Sequence, residues 1–173
     1  MELSKNTLST IKKLIDTLDI EACGFLVEQK NSELQLYIDS YGETKDGRGS
    51  CQHSKYTKYI WHTHPHNLIA YPSPEDILKI IKKREDSNPM ISVVFTIWGT
   101  WTLFSMKKVN LDKAWITYFI EKIKIPSHIL YKLTERGRGK YNLNDIEKFI
   151  LSVQQIINNK LNIGLEIKFF PWN

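Results

Sequence analysis

A strand that must stop at one proline and a helix that must start at another constrain this chain most tightly. Residues 57–64, TKYIWHTH, read as a strand, and Pro65 ends it. Ser73-Pro74-Glu75-Asp76 then opens a helix whose apolar spacing runs to about Arg84. Ser73 fits the N-cap, Pro74 the first helical position, and Asp76 the third, where its carboxylate can close a capping box. Residues 66–72 are left as the connecting loop.

Other elements fall around this unit. An amphipathic helix is expected over residues 5–18, with Leu8, Ile11, Ile15 and Leu18 on one stripe. Strands are expected over 20–28, 34–40, 90–97 and 101–107, the last two joined at Trp98-Gly99-Thr100. Residues 41–54 read as a polar, glycine-rich loop. Beyond Val109 the pattern turns helical. Asn110 is expected to cap a helix to about Ile123, Ser127 a short one, and Asn144 with Glu147 a long one to about Leu161. Residues 164–172 read as a last strand, with Phe169, Phe170 and Trp172 in the core. The class is α/β (α+β), a mixed β-sheet flanked by helices. Residues 1–108 form the core and 109–173 a mainly helical C-terminal extension packed on it.

Composition narrows the partners. The net charge is +5 over 173 residues, but most basic residues sit beside acids, as in KIIKKRED. Only ERGRGK, residues 135–140, reads as a mobile basic loop. Zinc-finger and RNP-type motifs are missing, which counts against nucleic acid. No apolar run reaches the ~18 residues of a membrane span. The N-terminal residues lack a signal peptide's apolar stretch, so an intracellular place, cytoplasmic or nuclear, is expected. Cys23 reads as a buried thiol; pairing with Cys51 is the alternative.

Three of the five histidines lie in WHTHPH. His62 and His64, two apart on a strand, point to one face and can share a metal ion. A polar strand end has the same spelling. Ser73 to Asp76 is likewise either helix punctuation or a site, and the two readings are compatible. A serine oxygen can cap while its hydrogen points elsewhere, and the helix dipole keeps an early carboxylate anionic. Glu21 sits in an otherwise apolar strand, IEACGFLVE, where a carboxylate is costly unless paired or placed in a cleft; a water-exposed strand edge is its other reading.

Glu21 with Cys23-Gly24-Phe25-Leu26, His62-Thr63-His64-Pro65, then Pro72-Ser73-x-x-Asp76-Ile77, together resemble the JAMM (MPN+) metalloprotease signature, and VVFTIWGTWTLF resembles the strand pair that follows its helix. The resemblance covers about residues 1–108. It implies a cytidine-deaminase-like MPN/JAMM core and one Zn2+ per chain held by His62, His64 and Asp76. It also implies Glu21 as general base and Ser73 as the hydroxyl that steadies an oxyanion. The implied activity is hydrolysis of isopeptide or peptide bonds at the C-terminus of ubiquitin or a ubiquitin-like protein. Walls for the substrate are expected at residues 41–54 and 66–72, His66 and Tyr71 included, with the substrate's tail added to a sheet edge beside the zinc. Asp76 lies twelve positions after His64, one more than is usual in the family, and Glu75 takes the usual place. The intact S-x-x-D spacing favours Asp76 as ligand, with the extra residue in the loop 66–71. His53 and His128 read as surface histidines. A catalytically silent MPN scaffold that binds protein partners is the alternative; the presence of all five motif residues favours an enzyme.

Overall fold

The computed structural model describes residues 3–30, 32–41, 58–82 and 90–172. In chain order they form α1 (Lys5–Thr17), β1 (Ala22–Glu28), β2 (Leu34–Tyr41), β3 (Tyr59–Thr63), α2 (Pro74–Ile81), β4 (Ile91–Phe95), β5 (Gly99–Ser105), α3 (Lys113–Leu133), α4 (Leu143–Leu161) and β6 (Leu165–Pro171). The strands make one sheet in the order β2-β1-β3-β4-β5-β6. β3 and β4 run parallel, whereas the other neighbours are antiparallel. Parallel neighbours need a crossover, and α2 supplies it. The chain is therefore α/β, with a mixed sheet flanked by helices.

Strand alternation sends side chains to two layers. On one side Ile11 and Ile15 of α1 pack with Ala22, Leu26, Trp61, Val93 and Phe95. On the other, Ile77, Ile80 and Ile81 of α2 join Phe119 and Ile123 of α3, Phe149 and Val153 of α4, and Val94, Trp101 and Leu103 of the sheet. Trp61 belongs to the α1 layer, so its neighbour His62 faces the α2 layer. Residues on both sides of position 108 share that second layer, and β6 pairs with β5 along seven positions.

Several local expectations are corrected. Residues 113–133 form one helix, not two, and it starts from Asp112, whose carboxylate accepts from Trp115 N. Pro126 lies inside it. Interior proline costs about 3 kcal/mol, while each large apolar side chain buried gives about 1.5–3 kcal/mol. Phe119, Ile123 and Leu130 are all buried, so packing wins over the lost hydrogen bond. α4 is capped by Asn142, which accepts from Asn144 N, not by Asn144 itself. The hairpin turn sits at residues 96–98, two residues earlier than expected, because Thr96 Oγ1 accepts from both Trp98 N and Gly99 N. Phe169 and Trp172 pack on the two core layers, but Phe170 is 45% exposed.

Two further expectations change. Residues 135–140 are not a free basic loop: Gly137 and Gly139 give their carbonyls to Ala70 N and Trp98 Nε1. Cys23 is buried as expected, but its sulfur belongs to a disulfide and not to a free thiol. The loop 42–54, Cys51, His53 and the residues beyond Lys82 expected to end α2 lie outside the described residues. His128 is exposed. No helix among the described residues is long and apolar enough to cross a membrane.

Candidate metal centre

The centre forms where β3 ends. The β3–β4 pairing carries one step past the strand, with His64 N donating to Phe95 O at 2.8 Å. His62 and His64 thus keep strand alternation and share a face, their ring centroids 5.1 Å apart. α2 begins next to them because the crossover must return to start beside β3. Its capping box is complete: Ser73 Oγ accepts from Asp76 N at 3.2 Å, and Asp76 Oδ2 accepts from Ser73 N at 2.8 Å. The cap fixes the Asp76 carboxylate so that it straddles both imidazoles. Oδ1 lies 3.1 Å from His62 Nε2 and Oδ2 3.3 Å from His64 Nε2. Glu75 is exposed, so the spacing ambiguity resolves to Asp76.

The antiparallel register of β1 brings in Glu21. Cys23 pairs with His62, and the same register carried two residues on sets Glu21 across from His64. Thr63 Oγ1 holds this end, accepting from Ala22 N at 2.9 Å. Glu21 Oε1 stands 4.0 Å from His64 Nε2.

The donor set fits a divalent metal. One ligand atom from each of His62, His64 and Asp76 lies within 4.8 Å of the others. A tetrahedral zinc with bonds of about 2.0–2.1 Å places its ligand atoms about 3.3–3.4 Å apart. The two Nε2 atoms are 3.3 Å apart, and the carboxylate contacts are 3.1 and 3.3 Å. The nitrogen–nitrogen edge is thus the size the ion needs, and each imidazole has one carboxylate oxygen at a similar distance, Oδ1 for His62 and Oδ2 for His64. Among the described residues the set is two nitrogens and one carboxylate oxygen, three of the four ligands a tetrahedral ion takes. His64 is oriented from behind. Its Nδ1 lies 2.9 Å from Ile69 O; a carbonyl only accepts, so Nδ1 carries the hydrogen and Nε2 faces the cluster.

The charges agree with this. Burial works against the His64 imidazolium, but the hydrogen-bonded Asp76 carboxylate and nearby Glu21 outweigh it and raise the His64 pKa. Burial would raise Asp76, yet His62 and His64 hold its carboxyl well below the usual range. In the metal-free protein, the raised His64 stabilises the fold below pH ~6.5 and loses that contribution as pH rises through its folded value. The depressed Asp76 stabilises it above pH ~4 and loses that as pH falls through its folded value. A metal must displace the His64 proton, so affinity rises with pH. At a hundredfold excess over Kd, zinc is expected to add about 2.7 kcal/mol, roughly 5–10 °C in Tm, at pH 8 and far less at pH 6. Thermal scans with and without zinc at both pH values check this; an equal gain at the two would contradict it.

The remaining expected site residues fare unequally. Ser73 is at the centre, but its hydroxyl donates to Asp76 Oδ2 at 2.8 Å, so its hydrogen orients the carboxylate instead of pointing into open space. His66 is a loop residue turned to α1: Nδ1 lies 3.4 Å from Ile15 O and Nε2 3.6 Å from Asp19 Oδ1. Tyr71 is corrected outright. It is 2% exposed, donates to Ser127 O at 2.9 Å and packs on Trp98 and Phe149, so it is core and cannot touch a substrate. Ala70 and Pro72 are buried too, which leaves only residues 66–69 of that segment accessible as a wall. β3 is paired on both sides, so a tail cannot add to the strand that carries His62. The Ile69 carbonyl was missed, because backbone acceptors leave no residue-type signal.

Comparison with known proteins gives no matching family model, no matching curated protein and no matching solved structure. The functional reading therefore rests on the centre's own geometry and on the motif that spells it.

Proposed function

We propose that this chain is a zinc-dependent hydrolase of amide bonds, of the JAMM (MPN+) type, acting on isopeptide or peptide bonds at the C-terminus of ubiquitin or a ubiquitin-like protein. The observation that carries the reaction class is the convergence of His62, His64 and Asp76, one ligand atom from each within 4.8 Å of the others, with Glu21 Oε1 4.0 Å from His64 Nε2. The substrate class rests on the motif resemblance alone.

His62, His64 and Asp76 would hold the metal. Zinc, when bound, lowers the pKa of water to about 7 and polarises a carbonyl. Glu21 takes the proton of the attacking water and passes it to the leaving amine as the C–N bond breaks. Ser73 keeps Asp76 in place through two donated hydrogen bonds, N–H and O–H. For it to serve as an oxyanion donor as well, its hydroxyl must turn from Asp76 to the substrate. That engagement is the one feature favouring the second reading, a silent scaffold that binds protein partners.

A panel of ubiquitin and ubiquitin-like fusions, each with and without chelator, separates the two. The hydrolase reading expects at least one fusion cut only when metal is present. A metal-loaded protein that cuts none yet binds one tightly would establish the scaffold instead.

A further inference from the structure

Residues beyond 108 carry none of the motif, yet one of their turns reaches the metal centre through a short chain of hydrogen bonds. We propose that residues 134–139, between α3 and α4, form a positioning brace for His64, holding residues 67–70 so that the Ile69 carbonyl keeps the imidazole in its Nδ1–H form with Nε2 toward Asp76. This rests on the reading of His62, His64 and Asp76 as a metal centre.

Two bonds cross directly from the turn to the loop. Ala70 N donates to Gly137 O at 2.8 Å, and Arg138 Nη1 donates to Asn67 O at 3.1 Å. Ile69, whose carbonyl receives His64 Nδ1–H, lies between those two anchor points. A third bond holds the far side of the same peptide segment, from Trp101 Nε1 to Ala70 O at 2.9 Å. The turn is itself fixed to the sheet by Trp98 Nε1, which donates to Gly139 O at 2.9 Å.

The turn's backbone shows that this arrangement is imposed. Glu135, Arg136 and Gly137 have φ of 47°, 67° and 74°. One left-handed residue suffices to end a helix, and non-glycine residues resist that region. Three in succession fold the chain back over Asn67–Ala70. At Gly137 a side chain is tight as well as strained by the positive φ: an added Cβ would lie 3.0 Å from Tyr71 Cε1 and 3.1 Å from Ile69 Cγ2, so those side chains would have to give by a few tenths of an ångström. Any larger residue there pushes on Ile69 itself. Changes to groups that orient metal ligands cost typically 10–100-fold in metal affinity.

The test uses the full chain in two measurements. Long-range nitrogen–proton NMR of metal-free protein, at a pH where the ring is neutral, reads the His64 tautomer. Chelator competition reads zinc affinity. Wild type and Arg136→Met should show the Nδ1–H form alone and equal affinity, since Arg136 lies in the turn without holding residues 67–70. Gly137→Ala should give mixed tautomers and about 10–100-fold weaker zinc. Arg138→Met, which removes an exposed side chain and leaves the core intact, should shift both in the same direction by less, and Arg138→Lys should recover part of the loss. If Gly137→Ala fails to fold, the Arg138 pair decides alone. Wild-type tautomer and affinity in both Gly137→Ala and Arg138→Met would overturn the brace. Failure of wild type to bind zinc would instead overturn the metal reading, with the tautomer data still deciding the brace.

Discussion

His64→Ala is expected to give a folded protein that no longer holds metal. His64 is 3% exposed, and its Nε2 lies 3.3 Å from His62 Nε2, 3.3 Å from Asp76 Oδ2 and 4.0 Å from Glu21 Oε1. Removing it leaves two donors where a hydrolytic zinc needs three. The loss should exceed the 10–100-fold that follows from disturbing a group behind a ligand. The fold pays less: the Ile69 carbonyl loses its donor, at about 1–3 kcal/mol, and the adjacent carboxylates lose a compensating imidazole. Elemental analysis beside a thermal melt separates the two effects. Glu75→Gln is the matched control; its exposed side chain should be replaceable without change in metal content. Full metal in His64→Ala would place the ion elsewhere.

Glu21→Gln should do the opposite, keeping the metal and losing the reaction. The amide has nearly the same size and sits in the same register across from His64, but it cannot take a proton. General acid–base groups contribute about 10²–10⁴-fold, and a loss in that range in kcat is expected on whichever fusion wild type cleaves. Metal content should hold, since the donors are His62, His64 and Asp76. A variant that cleaves as fast as wild type would remove Glu21 from the mechanism.

How much of this was legible in the sequence depends on what kind of group carried it. The centre was readable because its members are rare residue types at spacings that local structure enforces. Alternation aligns His62 with His64, and the Ser73 cap sets Asp76 three residues on. Glu21 was readable only through the motif, since nothing local predicts that β1 lies antiparallel beside β3. The strands and the first two helices were legible from periodicity. The third helix was not, because Pro126 and Ser127 carry a local stop signal that burial of Phe119, Ile123 and Leu130 overrides. Tyr71 was misassigned because an aromatic in a loop beside a motif looks accessible, and only tertiary packing buries it. Residues 135–140 read from their charge as a mobile basic loop, while the attachments there are made by carbonyls and one arginine, two of them to a loop some 70 positions earlier in the chain.

Zinc stoichiometry by elemental analysis, on protein expressed with zinc and purified without chelator, tests the metal centre most directly. The expected result is close to one zinc per chain, removed together by His64→Ala and by Asp76→Asn and retained by Glu21→Gln. Wild-type protein that carries far less than one zinc, or that carries the same amount as both ligand variants, would contradict it.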